Sequence, residues 1–298
     1  MLPATGAPLI THHPSPITLL MEFLVLFAKT ILLRPYVFVF LASFLFAAIM
    51  LLGWPRTWRF WLISWITAFV CEFSSTRTGI PFGWYHYNGS TVGQELYFSN
   101  IPFMDSISFS FLLYASYCLA LLFVLPFLSS SPGSRGFRLS SLAFDLSSRT
   151  SWGALVLTVL FFAFIDMVID PVALRGDRWF LGKIYYYPDP GVHFGVPIAN
   201  YVGWAVVGAI SLLIYFPLDR RLPPSLPLHR PSTTHRLLLG AGLYYGVLAF
   251  NLSVTFWIGE TLLGTTGLLM YIPVTALLLL RLLIPATRSI LADLPPAR

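Results

Sequence analysis

Residues Cys71 to Tyr117 read CEFSSTRTGIPFGWYHYNGSTVGQELYFSNIPFMDSISFSFLLYASY. An apolar helix carries Glu72 at its end, and a Gly/Pro/aromatic loop from Gly79 to Tyr87 follows it. The chain then enters a second apolar helix through Ile101-Pro102, with Asp105 in its first turn. Two carboxylates inside or beside a membrane are expensive to keep there, which points to a function for them.

The rest of the chain supports that membrane setting. Of 298 residues, 57% are hydrophobic and only 10% charged, and the mean hydropathy is +0.77. Such a chain cannot cover itself with polar surface. It reads as an all-α, polytopic integral membrane bundle, because only helices or closed barrels satisfy the backbone in lipid. The net charge of +6 sits mostly in short loops, where it reports topology and not nucleic-acid binding. Cys71 and Cys118 lie in apolar segments, so both are expected as buried thiols. The opening MLPATGAPLITHHPSP has no basic region ahead of an apolar run, so no cleaved signal peptide is expected.

At ~20 residues per crossing, the apolar runs predict seven or eight spans. They are Ile17–Leu33, Tyr36–Gly53, Trp58–Phe73, Ile101–Leu128, Trp152–Ile169, Val196–Phe216, Leu237–Ile258 and Thr265–Ile284. Arg56, Arg59, Arg135, Arg138, Arg149, Arg220, Arg221, Arg230, Arg236, Arg288 and Arg298 then fall on one side, which becomes the cytoplasmic one. Arg34, Arg77, Arg175, Arg178 and Lys183 fall on the other. The stretches 129–151 and 217–231 read as solvated connectors. The expected organisation is one membrane domain over 1–298, with 58–216 as its catalytic core and 237–284 as a C-terminal helix pair.

A second stretch repeats the first in outline. Asp166-Met167-Val168-Ile169-Asp170-Pro171 leads through a Gly/aromatic loop (Arg175 to Tyr187, including Trp179 and Tyr186) to Val196-Pro197-Ile198-Ala199-Asn200. Asp105 and Asn200 each stand three residues after a proline, and a first-turn proline gives up a donor that had no partner anyway. With two crossings between them, the copies form a parallel internal repeat whose carboxylates meet at one depth. Asp166 and Asp170, four apart, share a helix face. Two like charges that close disfavour joint ionisation, and a carboxyl that keeps its proton can act as a general acid. Ordinary roles compete with this reading. Glu72 could cap against Arg77, Asp170 could pair with Arg175 or Arg178, and Asp105 and Asn200 could cap helices. Tryptophans and tyrosines also mark membrane interfaces. His86 and His193 lack partners at ligand spacing, so no metal is expected.

On these residues the chain resembles the membrane carotenoid hydratases. These include the bisanhydrobacterioruberin hydratases and the γ-carotene and lycopene 1,2-hydratases, alongside members known only as carotenoid biosynthesis proteins. The resemblance covers Trp58 to Trp204. It rests on Glu72 with Gly79 to Tyr87, on Asp166 to Pro171, and on Gly195-Val196-Pro197 through Asn200 to Trp204. Tyr185-Tyr186-Tyr187-Pro188-Asp189-Pro190 departs from the family pattern, which leaves the substrate's shape open.

The resemblance implies cofactor-independent addition of water across the terminal C1=C2 bond of an acyclic carotenoid end group. An acid protonates the alkene to give a tertiary cation, and a held water captures it. Glu72, Asp105, Asp166 and Asp170 are the expected catalytic residues, with Asp170 or Asp166 as acid and Glu72 with Asp105 positioning water. Trp84, Tyr85, Tyr87, Trp179, Tyr186, Asn200 and Trp204 are the expected substrate-binding residues; aromatic faces contribute ~0.5–2 kcal/mol each to a nearby cation. The implied partners are a lipophilic polyene, water and membrane lipids, with no nucleic acid and with room for association with other carotenoid enzymes. The implied location is the bacterial or archaeal cytoplasmic membrane. The alternatives are a carotenoid cyclase or isomerase, which shares the protonation step, and a transporter or binding protein with a midplane site.

Overall fold

The computed structural model describes residues 15–127, 142, 144–223 and 233–292. The N-terminal stretch before Ser15 and most of the stretches 129–151 and 217–231, with Arg135, Arg138, Arg230 and Arg298, lie outside them; the described ends of the two stretches are not solvated connectors, since 217–220 complete a helix and Arg149 and Asp219 are buried. Helices α1 (Pro16–Leu33), α2 (Pro35–Leu52), α3 (Trp54–Thr78), α4 (Phe103–Val124), α6 (Trp152–Ala173), α7 (Ile198–Arg220), α8 (Thr233–Trp257) and α9 (Thr261–Ala292) are long, and α5 (Leu146–Arg149) is one turn. The chain is an all-α polytopic bundle, and seven of the long helices are long and apolar enough to cross a membrane. The eighth, α3, carries Arg56, Arg59, Glu72 and Arg77 among its apolar residues.

Local chemistry sets the boundaries. Ser15 caps α1 by accepting from the Thr18 amide, and proline opens α1, α2 and α3 in their first turns, where its missing N–H costs nothing. Helix α3 runs past Phe73 to Thr78, so Glu72 lies well inside it and not at its end. It stops where Gly79 turns left-handed (φ 76°), a conformation that glycine adopts without strain. Helix α4 begins at Phe103 instead of Ile101, because β3 (Ile101–Pro102) pairs antiparallel with β2 (Tyr97–Phe98). Pro171 stands inside the last turns of α6, which continues to Ala173.

Helix α4 is the central post. Of its most apolar stretch 83% is buried, against 6% for α1. It packs on α2, α3, α6 and α8, and α3 and α6 both pack on α7. At one end Asp219, fully buried, accepts from Arg56 (2.5 Å) and Arg149 (3.0 Å), tying α7 to α3 and α5. The opposite end collects the α1–α2 corner, the two long connections 79–102 and 174–197, and the α8–α9 turn. There buried Arg34 forms a two-pronged ion pair with Glu95 and donates to Leu181 O at 2.5 Å. One guanidinium thereby fixes both connections to the bundle. Arg175 (3.1 Å) and Arg178 pair with Glu260 in the α8–α9 turn.

Candidate active site

The two long connections meet in a short antiparallel ladder, β1 (His86–Tyr87) with β4 (Tyr185–Tyr186), in the register Tyr87↔Tyr185 and His86↔Tyr186. Side chains alternate across a strand, so Tyr87 and Tyr185 turn toward the helices while His86 and Tyr186 face outward. Tyr85 and Tyr187, two residues away on either strand, join the inner face, and both are buried. Close approach completes the floor. A Cβ at Gly203 would fall 2.3 Å from the Phe82 ring, so only glycine lets α7 come this near the loop.

The inner phenols meet the carboxylates. Tyr87 Oη lies 3.0 Å from Glu72 Oε1 and 2.6 Å from Asp105 Oδ2. Tyr185 donates to Asp170 Oδ1 at 3.0 Å, and Tyr187 to Asp170 Oδ2 at 2.7 Å. The Asn200 amide donates to Asp166 Oδ2 at 2.6 Å and to Asp170 Oδ2 at 2.7 Å. Burial first, and the neighbouring carboxylates second, push the hydroxyls of Tyr87, Tyr185 and Tyr187 well above the ordinary tyrosine range. All three stay protonated and serve as donors. Glu72 Oε2 and Asp166 Oδ1 are buried with no hydrogen-bond partner among the described residues.

The arginines that could have neutralised these acids are engaged elsewhere. Arg77 binds Asn100 and Ser99 and lies over the Phe73 ring, and Arg175 and Arg178 serve Glu260. Among the described residues, the ion pairs go to Glu95, Asp219 and Glu260. The four clustered acids are held by neutral phenols and an amide. A paired buried acid is locked in its charged form by its partner; an unpaired one is free to gain and lose a proton.

Two cavities abut at this cluster. The first, about 40 Å³, is lined by Glu72, Phe82, Tyr85, Tyr87, Asp105, Phe109, Asp170, Tyr185, Tyr187, Asn200 and Trp204, and has room for a water or more. The second, about 110 Å³, is mainly apolar, with Tyr36, Phe40, Phe111, Trp179 and Phe250 among its walls. Asp105, Phe109, Asp170, Tyr185 and Trp204 line both. Phe109 and Trp204 stack at the junction with ring centroids 4.3 Å apart.

The structure thus gathers Glu72, Asp105, Asp166, Asp170, Tyr85, Tyr87, Asn200 and Trp204 at one place, and sets Trp179 on the wall of the adjoining cavity. Two other expected binding residues stand apart: Trp84, half exposed against Gly79, and Tyr186, on the outer strand face. Sequence reading passed over Tyr185 and Tyr187, although Tyr-x-Tyr occurs in both loops and signals a shared face. It also passed over Tyr36, Phe40 and Phe250, which come from α2 and α8, outside 58–216. Nothing in the local sequence announces them.

The model of a family described as "Carotenoid biosynthesis protein" matches residues 33–274. Over 150 residues the chain is 31% identical to the bisanhydrobacterioruberin hydratase of Haloarcula japonica, a match spanning 50% of this chain and 41% of that protein. No solved structure matches.

Proposed function

The chain belongs to the carotenoid biosynthesis protein family, and from that premise we propose that it is a hydratase acting on the terminal C1=C2 bond of an acyclic carotenoid end group. The observation that carries this reading is the junction of a small polar cavity and an apolar one, with Asp105 and Asp170 on the shared wall. The end group occupies the apolar cavity, and water occupies the polar one.

The hydrogen-bond inventory supports a division of labour different from the one the sequence suggested. A phenol carries one proton, yet Tyr87 bridges two carboxyls. Both bonds form together only when the Glu72–Asp105 pair holds a proton of its own. Asp105, which reaches the apolar cavity, is therefore the acid. Three neutral donors converge on Asp170, which suits an anion facing the developing cation.

In the proposed reaction Asp105 gives its proton to C2, and the π electrons leave a tertiary cation at C1. The rings of Trp204 and Phe109 and the Asp170 carboxylate stabilise that cation. Water attacks C1, and Glu72 takes its proton. The sum is alkene plus water giving a 1-hydroxy end group, with no electrons exchanged.

The polar cavity at the end of the apolar one favours water capture over ring closure, since it has room for a water beside the cation.

The test is pigment mass in a host that accumulates lycopene. A more polar product heavier by one water, absent with Asp105→Asn, is expected. A product of unchanged mass would show cyclisation. No product from any acyclic precursor, with the protein well expressed, would overturn the hydratase reading in favour of transport or binding.

A further inference from the structure

Each hydration leaves the site in the wrong state for the next one. Asp105 has lost a proton and Glu72 has gained one. The cluster is walled by Phe82, Phe109 and Trp204, and no arginine or lysine among the described residues pairs with any of its four acids. The proton that resets Asp105 therefore has a short internal route or a long one through solvent. Glu72 is 2% exposed, and its unpartnered Oε2 is the open acceptor for water in the polar cavity.

We infer that Tyr87 is the proton relay that resets the site, passing its own phenolic proton to Asp105 while taking the proton that Glu72 removed from water. This rests on the hydratase reading above and adds the step that makes it cyclic. The geometry is suited to it. Tyr87 Oη stands 2.6 Å from Asp105 Oδ2 and 3.0 Å from Glu72 Oε1, both within hydrogen-bond range. A half-turn of the Glu72 carboxyl brings its new proton to the Tyr87 side. The O–H bond of Tyr87 then breaks toward Asp105 as the proton of Glu72 bonds to the phenol oxygen. Tyr87 ends as it began, Glu72 is again a carboxylate, and Asp105 is again an acid. Tyr185 stands beside Tyr87 in the ladder, but its hydroxyl donates to Asp170 alone. It holds an anion in place and links no second acid.

The test separates one turnover from many. Purified protein in lipid nanodiscs is mixed with lycopene, and product is quantified by rapid quench and mass analysis. With Tyr87→Phe the first hydration per site slows, because both catalytic acids lose the hydroxyl between them, and steady-state turnover falls a further ~100-fold below it, the low end of a lost proton-transfer group. Tyr185→Phe slows the first and later turnovers alike. Equal loss of the first and later turnovers with Tyr87→Phe would make Tyr87 a positioning residue and overturn the relay, as would unchanged steady-state turnover. Should Tyr87→Phe misfold, 3-fluorotyrosine at position 87 adds one fluorine and makes the phenol more acidic; it is expected to change steady-state turnover more than the first hydration. An unchanged steady state there also overturns the relay. Wild-type protein that yields no hydrated pigment under these conditions would instead refute the hydratase reading itself.

Discussion

The two long connections carry the same tyrosine spacing and deliver it to different partners. In each, a phenol fifteen residues after a helix carboxylate returns to bond it, Tyr87 to Glu72 and Tyr185 to Asp170. The residue three after the helix-opening proline then differs. Asp105 in the first half shares the Tyr87 hydroxyl, whereas Asn200 in the second donates to Asp170 and Asp166. Under the proposed mechanism the acid–phenol–acid arrangement moves a proton and the acid–phenol–amide arrangement fixes an anion, so the two halves differ by the exchange of a carboxyl for an amide.

The most severe test of that contrast is Asp105→Asn, which turns the first unit into a copy of the second. Hydration measured in lycopene-producing cells should fall by about 10³-fold, within the range for a lost general acid, with the protein still inserted in the membrane. If the two halves were interchangeable, adding Asn200→Asp to Asp105→Asn would restore activity; we expect no recovery, because position 200 bonds Asp166 and Asp170 and not the Tyr87 hydroxyl that reaches Glu72. Next comes Asp170→Asn, which removes the anion proposed to face the cation. A loss of about 10²-fold in kcat is expected, in keeping with a single preorganised electrostatic contact, with substrate binding nearly unchanged in a titration of polyene absorbance. A smaller effect is expected from Phe250→Leu in the apolar cavity, which both halves share. Loss of one aromatic face there should cost about 1 kcal/mol, a few-fold in kcat/KM. Tyr186→Phe closes the series: its ring lies on the outer strand face, so turnover within about twofold of wild type is expected. A large loss with Tyr186→Phe would mean that the strand register is not the one described.

A second contrast explains which acids were readable in advance. Glu95 and Asp219 are as buried as Glu72 and Asp166, but Arg34, Arg56 and Arg149 pair with them. Spacing placed Glu72 and Asp170 near Arg77, Arg175 and Arg178, a plausible set of ordinary caps. Each arginine instead turned to a partner distant in sequence, Asn100 or Glu260. Burial, shared by all, did not separate the two kinds of acid; the identity of the neighbours did.

The sequence by itself determined that this is a membrane bundle and where its long helices run, because spans are set by length, apolarity and proline or glycine at their ends, all local properties. It also brought out the four acids, the Pro-x-x-Asp and Pro-x-x-Asn helix starts, and the aromatic loops. The pairing of the two loops belongs to the tertiary structure. Register alone decides that Tyr185, and not Tyr186, stands beside Tyr87, since a shift of one residue turns every side chain to the other face. The apolar cavity was likewise out of reach as a whole, because its walls come from α2, α4, α6, α7, α8 and the second connection, whose side chains meet only when the bundle closes around α4.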